Sequence, residues 1–123
     1  MAHILVVDDD EPIRTLAHLV LSKAGHIVVS AGTAADALII AAAHPDIDLV
    51  LLDLVIPGPD WTETLKSLRD ILPQVPCVLS SGLRCTELDL PSSLSAHTSF
   101  LQKPYRADDL ITVVNSALRK AST

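Results

Sequence analysis

Leu49-Val50-Leu51-Leu52-Asp53 is a run of four large aliphatic side chains that ends on a carboxylate. Asp48 precedes it, and Pro57-Gly58-Pro59 follows shortly after. A strand with one wet face alternates apolar and polar residues, whereas one covered on both faces is apolar throughout, as in parallel sheets. The stretch therefore predicts a central parallel strand, with Asp53 at the point where the chain leaves the core. Open α/β sheets place their chemistry outside the carboxyl ends of such strands. Taken alone, Asp53 fits an acid that merely starts a turn equally well.

The flanking sequence repeats the theme. Ile4-Leu5-Val6-Val7 is a second apolar run, and it ends on Asp8-Asp9-Asp10-Glu11. Pro12 suits the first turn of a helix capped by Asp10 or Glu11. Ile13, Leu16, Ala17, Val20, Leu21 and Ala24 then follow at helical spacing, with Gly25 placed to stop the helix. Ile27-Val28-Val29 reads as a short strand. Thr33 with Asp36 resembles a capping box for a helix whose inner face is Ala37, Leu38, Ala41 and Ala42. Beyond Asp53, Asp60 and Glu63 are spaced to cap a third helix facing inward through Trp61, Leu65, Leu68 and Leu72.

Cys77-Val78-Leu79-Ser80 predicts a fourth strand, terminating in Ser81-Gly82. Segment 83–96 is rich in Ser and contains Pro91, so a short or distorted helix is expected there. Phe100-Leu101 predicts a last strand, ending at Gln102-Lys103-Pro104. The terminal helix faces inward through Leu110, Val113, Val114, Ala117 and Leu118, with acids in its first turn and Arg119 and Lys120 in its last. Strict strand–helix alternation predicts one parallel sheet with right-handed crossovers and helices on both faces. The 123 residues are enough for five such units in one domain, residues 1–123.

Composition narrows the function. Aliphatics dominate the 49% hydrophobic content, and Trp61, Phe100 and Tyr105 are the only aromatics of the Phe/Trp/Tyr class. A formal charge of -6 argues against direct nucleic-acid binding, because phosphate contacts need clustered Lys and Arg. No apolar run reaches the roughly 20 residues of a membrane span. The start runs directly into a strand, so no signal peptide is expected. Cys77 and Cys85 lack metal-ligand spacing and read as free thiols in a reducing compartment, hence the cytoplasm. The five histidines show no ligand spacing and read as structural or surface residues.

The chemistry collects at one end of the sheet. Strand one ends in Asp8-Asp9, strand three in Asp53, strand four in Ser81 and strand five in Lys103. Three carboxylates at one edge resist simultaneous ionisation, and a hard divalent cation relieves them; Mg²⁺ takes one or two carboxylates and keeps several waters. A lysine and a hydroxyl beside that ion make a site for a phosphoryl group, whose transfer requires chiefly positioning and charge neutralisation. Asp53 as nucleophile would form an acyl phosphate.

Leu5-Val6-Val7-Asp8-Asp9, Leu51-Leu52-Asp53-Leu54 with Pro57-Gly58, Ser81-Gly82 and Phe100-Leu101-Gln102-Lys103-Pro104 together resemble the receiver domain of two-component response regulators. The wording from Phe100 to Pro104 looks closest to receivers attached to hybrid sensor histidine kinases. The resemblance implies a flavodoxin-like, doubly wound (βα)5 fold with strand order 2-1-3-4-5, which is also the order of the general doubly wound example. It implies that Asp53 is the phosphoacceptor of a phosphorelay. Asp9, Asp53 and the Val55 carbonyl would bind Mg²⁺, with Asp8 acting largely through a metal-bound water. Ser81 and Lys103 would contact the phosphoryl group, and Phe100 would be the rotating aromatic of the switch. The donor would be a phosphohistidine on a sensor histidine kinase or a histidine phosphotransfer domain. The domain would catalyse phosphoryl transfer only onto itself, and its own dephosphorylation.

Two other readings compete. A non-phosphorylated interaction module of the same fold would have no need of Asp8, Asp9, Asp53 and Lys103 together. A phosphohydrolase with its nucleophile after strand one fits the Asp8-Asp9-Asp10 pattern but has Pro12 where Thr or Val is usual, and no room for a cap insertion. No effector follows Thr123, so the sequence reads as a single-domain regulator or a segment of a larger protein.

Overall fold

The computed structural model describes residues 2–55, 60–82, 97–103 and 105–122. The distorted helix expected over 83–96, the Pro57-Gly58 turn, Cys85 and Pro104 lie outside these residues. Five strands, β1 (His3–Val7), β2 (Ile27–Ala31), β3 (Leu49–Asp53), β4 (Cys77–Ser81) and β5 (Thr98–Gln102), form one parallel sheet in the order β2-β1-β3-β4-β5. The four described helices are α1 (Glu11–Lys23), α2 (Ala34–Ala43), α3 (Trp61–Ile71) and α4 (Ala107–Ser122). Every residue of β3 and β4 is buried, as expected of strands covered on both faces.

Alternation along each strand divides the interior into two layers. Leu5, Val7, Val50, Leu52, Cys77 and Leu79 face α2 and α3, where they meet Ala37, Ala41, Leu65 and Leu68. Ile4, Val6, Leu49, Leu51, Val78 and Leu101 face α1 and α4, where they meet Ala17, Leu21, Leu110, Val114 and Ala117. The alanines bring α1 and α2 close to the sheet without displacing the larger strand residues. Cys77 is a free thiol in the first of these layers, and burial pushes it up to about 11, so it is chemically quiet.

Local signals decide the helix ends. The Asp10 carboxylate accepts from the Ile13 amide and Thr33 Oγ1 accepts from the Asp36 amide, so both N-caps form. Gly25 follows α1 at φ +95°, a conformation that favours glycine. The expected cap of α3 is corrected: the Asp60 carboxylate makes no bond to the helix amides because it accepts from the Thr62 hydroxyl instead. The Asp60 carbonyl still starts the helix by accepting from the Thr64 amide.

Three helix faces also depart from the periodicity. Leu16 is exposed and Ala24 lies outside, since α1 touches the sheet along the narrower line Ala17–Leu21. In α2 the buried stripe is Ala34, Ala37 and Ala41, which leaves Ala42 in water. Thr64 is buried in α3, where its hydroxyl donates to the Asp60 carbonyl. Both edge strands are longer than expected, because pairing with β1 and β4 carries them past their apolar residues. No helix among the described residues is long and apolar enough to cross a membrane.

Ser80 is 2% exposed, and its hydroxyl has no hydrogen-bond partner among the described residues. A buried hydroxyl left unsatisfied costs roughly 1–3 kcal/mol. Ser80→Ala is therefore expected to raise the unfolding free energy by about 1 kcal/mol, seen as a higher urea midpoint at unchanged slope. A lower midpoint would show that the hydroxyl is satisfied in solution.

Candidate functional site

The register of the sheet assembles the acids. Val7 of β1 pairs with Leu52 of β3, so the next residues of the two strands, Asp8 and Asp53, emerge side by side. Ser81 of β4 pairs with Gln102 of β5, which brings Lys103 to the same edge. The Lys103 amide donates to the Ser81 carbonyl at 2.7 Å, holding the last residue of that ladder.

Asp8 is 3% exposed and engaged at every polar atom. Its amide donates to the Ala31 carbonyl at 3.0 Å. Its Oδ1 accepts from the Asp10 amide at 2.9 Å, an Asx-type turn, and its carbonyl accepts from Arg14 Nη1 at 2.7 Å. Its Oδ2 lies 2.9 Å from Lys103 Nζ. Asp53 is 4% exposed; its Oδ1 accepts from the Val55 amide at 3.2 Å, and its Oδ2 lies 3.2 Å from Lys103 Nζ. A single ammonium thus bridges both buried acids. Asp9 is exposed, yet one of its oxygens belongs to a group with Asp8 and Asp53 in which ligand atoms lie within 4.8 Å of one another.

Burial pushes the Asp53 carboxyl above its ordinary range, and the Asp8 charge adds to this against the Val55 amide and Lys103. Burial draws the Lys103 ammonium down, but its hydrogen bond to Asp8 and the Asp53 charge outweigh that and hold it above its ordinary value. The Tyr105 hydroxyl is raised by burial and by the Asp8 charge, and Tyr105 lines one pocket together with Lys103. One ammonium against three carboxylates leaves surplus negative charge. An all-oxygen donor set of this kind fits a hard divalent cation.

All the acids and the lysine expected at the site meet there. Ser81 is buried at the end of β4, and Phe100 is half-buried on β5 opposite Leu79, two residues before Ser81 on the same face. Val55 presents its amide to Asp53, while its side chain is exposed. Sequence reasoning missed Arg14 and Tyr105. Arg14 follows the acidic run by one helical turn, a spacing that lets a long side chain reach back to the loop. Tyr105 carried no comparable signal.

The raised carboxyl has a thermodynamic sign. Asp53 binds its proton more tightly folded than unfolded, so its contribution is most favourable below the ordinary carboxylate range and is lost as pH rises through the elevated value. Asp53→Asn is therefore expected to raise the melting temperature by a few degrees at pH 7 in metal-free buffer. The gain should shrink as pH falls below about 4. A variant that melts lower than the wild type at pH 7 would contradict this electrostatic account.

Residues 4–115 match the response regulator receiver domain family. The chain is 33% identical over 115 residues to the DNA-binding transcriptional regulator NtrC of Bradyrhizobium sp. (strain RP501 Parasponia), covering 94% of this chain and 24% of that protein. It is 33% identical over 121 residues to the transcriptional regulatory protein KdpE of Mycobacterium tuberculosis, covering 98% of this chain and 52% of that protein. It thus spans about a quarter of the first relative and half of the second. The crystal structure of the receiver domain from the hybrid histidine kinase CckA matches with a TM-score of 0.81 at 31% identity, covering 94% of this chain and 98% of that one. With the acid cluster, the 2-1-3-4-5 sheet and these matches in agreement, the chain belongs to the family of response regulator receiver domains of two-component systems.

Proposed function

We propose that this domain accepts a phosphoryl group on Asp53 from a phosphohistidine of a sensor histidine kinase or a histidine phosphotransfer domain, in the cytoplasm. The observation that carries the reading is the placement of the Asp53 carboxylate at a strand end, in a three-acid cluster, with Lys103 Nζ 3.2 Å from its Oδ2. A carboxylate oxygen of Asp53 forms the new P–O bond as the P–N bond of the donor breaks, and the departing imidazole retains its electron pair and is protonated. Hydrolysis of the resulting acyl phosphate returns the carboxylate and releases inorganic phosphate.

The chain's own groups supply positioning and charge. Lys103 opposes the rise that burial and Asp8 impose on the Asp53 carboxyl, and it can exchange a carboxylate partner for a phosphoryl oxygen, since both are anions of similar reach. Val55 fixes the Asp53 carboxylate through its amide. Asp9, Asp53 and the Val55 carbonyl would hold Mg²⁺, with Asp8 acting through water. When bound, the ion would neutralise charge on the transferring oxygens. Ser81 would meet another phosphoryl oxygen, and Phe100 would move into the space it leaves, changing the surface beside β5. The domain acts on itself and on no separate substrate.

Incubation with a small acyl phosphate or phosphoramidate and Mg²⁺ is expected to add the mass of one phosphoryl group, labile to hydroxylamine. Asp53→Asn should abolish the addition. Lys103→Ala should blunt the change in Trp61 fluorescence that accompanies it. Labelling that persists in Asp53→Asn would falsify the assignment.

A further inference from the structure

The loop after β1 carries four consecutive acids, Asp8 to Glu11, and must aim two of them into the cluster. Charges of like sign on adjacent residues drive such a loop apart. Arg14 opposes this from behind. Its Nη1 donates to the Asp8 carbonyl at 2.7 Å, and among the described residues it forms no ion pair with a carboxylate. The guanidinium is therefore spent on the backbone of the loop rather than on neutralising an acid.

The seat of the guanidinium is Gly32, just after β2. A Cβ at that position would lie 3.2 Å from Arg14 Nη1 and 3.7 Å from its Cζ, the first tighter than ordinary contact. The preceding residue, Ala31, accepts from the Asp8 amide at 3.0 Å. The corner after β2 thus grips Asp8 on one side directly and on the other through Arg14. Gly32 is bare where any side chain would press on the arginine.

We propose that Arg14 is a positioning residue for the cation-binding acids, acting through the Asp8 carbonyl, with Gly32 as the space its guanidinium requires. The proposal rests on the reading of Asp9 and Asp53 as Mg²⁺ ligands. Removing the guanidinium has two effects of opposite sign. Loss of a positive charge near the cluster tightens cation binding through space. Loss of the clamp lets the Asp8-Asp9 backbone drift and weakens it. The clamp dominates, because the carbonyl bond is direct and nothing else among the described residues holds that oxygen.

Titration with MgCl₂, followed by two-dimensional amide NMR, measures the balance and reports folding in the same spectra. Arg14→Met, which keeps length but removes the donor, should bind Mg²⁺ about tenfold more weakly, the usual loss when an outer partner of a ligand is removed. Arg14→Lys should recover part of the affinity, because an ammonium still donates to the carbonyl. Gly32→Ala should weaken binding in the same direction although it removes neither charge nor donor. If Arg14→Met does not fold, the lysine and alanine variants carry the test. Unchanged or tighter binding by Arg14→Met, or unchanged binding by Gly32→Ala, would overturn the clamp. A wild-type chain without Mg²⁺-dependent shifts would overturn the ligand reading itself, which the variants alone cannot do.

Discussion

Carboxylates of like charge, crowded where water is partly excluded, are the condition that this molecule is built to sustain. Asp8 and Asp53 are almost fully buried, Asp9 stands beside them, and Lys103 is the one cation the described residues place between the two buried acids. Burial pushes the Asp53 carboxyl toward its neutral form, and the charge of Asp8 adds to that. Together with the lysine the acids hold charge that an incoming cation or phosphoryl group can redistribute. Such an arrangement contributes reactivity rather than stability, and the rest of the fold must supply the stability.

That supply comes from the two apolar layers on either side of the sheet. β1 and β3 are neighbours at its centre, and every described side chain between Ile4 and Val7 and between Leu49 and Leu52 is packed into one layer or the other. A slip of one residue in either strand would exchange its two faces, so the register is strongly fixed. The positions of Asp8 and Asp53 inherit that precision as the next residues along. Hydrogen bonds to Ala31, Asp10, Arg14 and Val55 then fix the carboxylates and backbone beyond the strands.

The fold and the charged members of the site were legible because they depend on patterns along single strands. Apolar runs that end in Asp8, Asp53 and Lys103 state both the burial and the edge at which the polar groups appear. What was not legible depends on competition between side chains. Asp60 looked like a cap until the Thr62 hydroxyl took its carboxylate, and Leu16 looked like core until α1 settled on the line of Ala17 and Leu21. Thr64 broke the apolar rhythm of α3 yet is buried, since it satisfies its hydroxyl on the helix backbone. Arg14 escaped notice because its contact is to a carbonyl, which carries no side-chain signature.

The bond between Lys103 and Asp8 spans 95 positions of the chain. A polypeptide emerging from the ribosome amino end first completes Asp8, Asp9 and Asp53 long before the lysine exists. Until β5 docks beside β4, the three acids have no internal counter-ion from this residue, and the edge they share is electrostatically unfavourable. Closure of contacts so distant in sequence comes late, because the loop entropy must be overcome first. The final strand therefore does more than complete the sheet: its arrival brings the ammonium that relieves part of the repulsion at that edge. A domain truncated before β5 would retain its acids without the residue that makes them compatible.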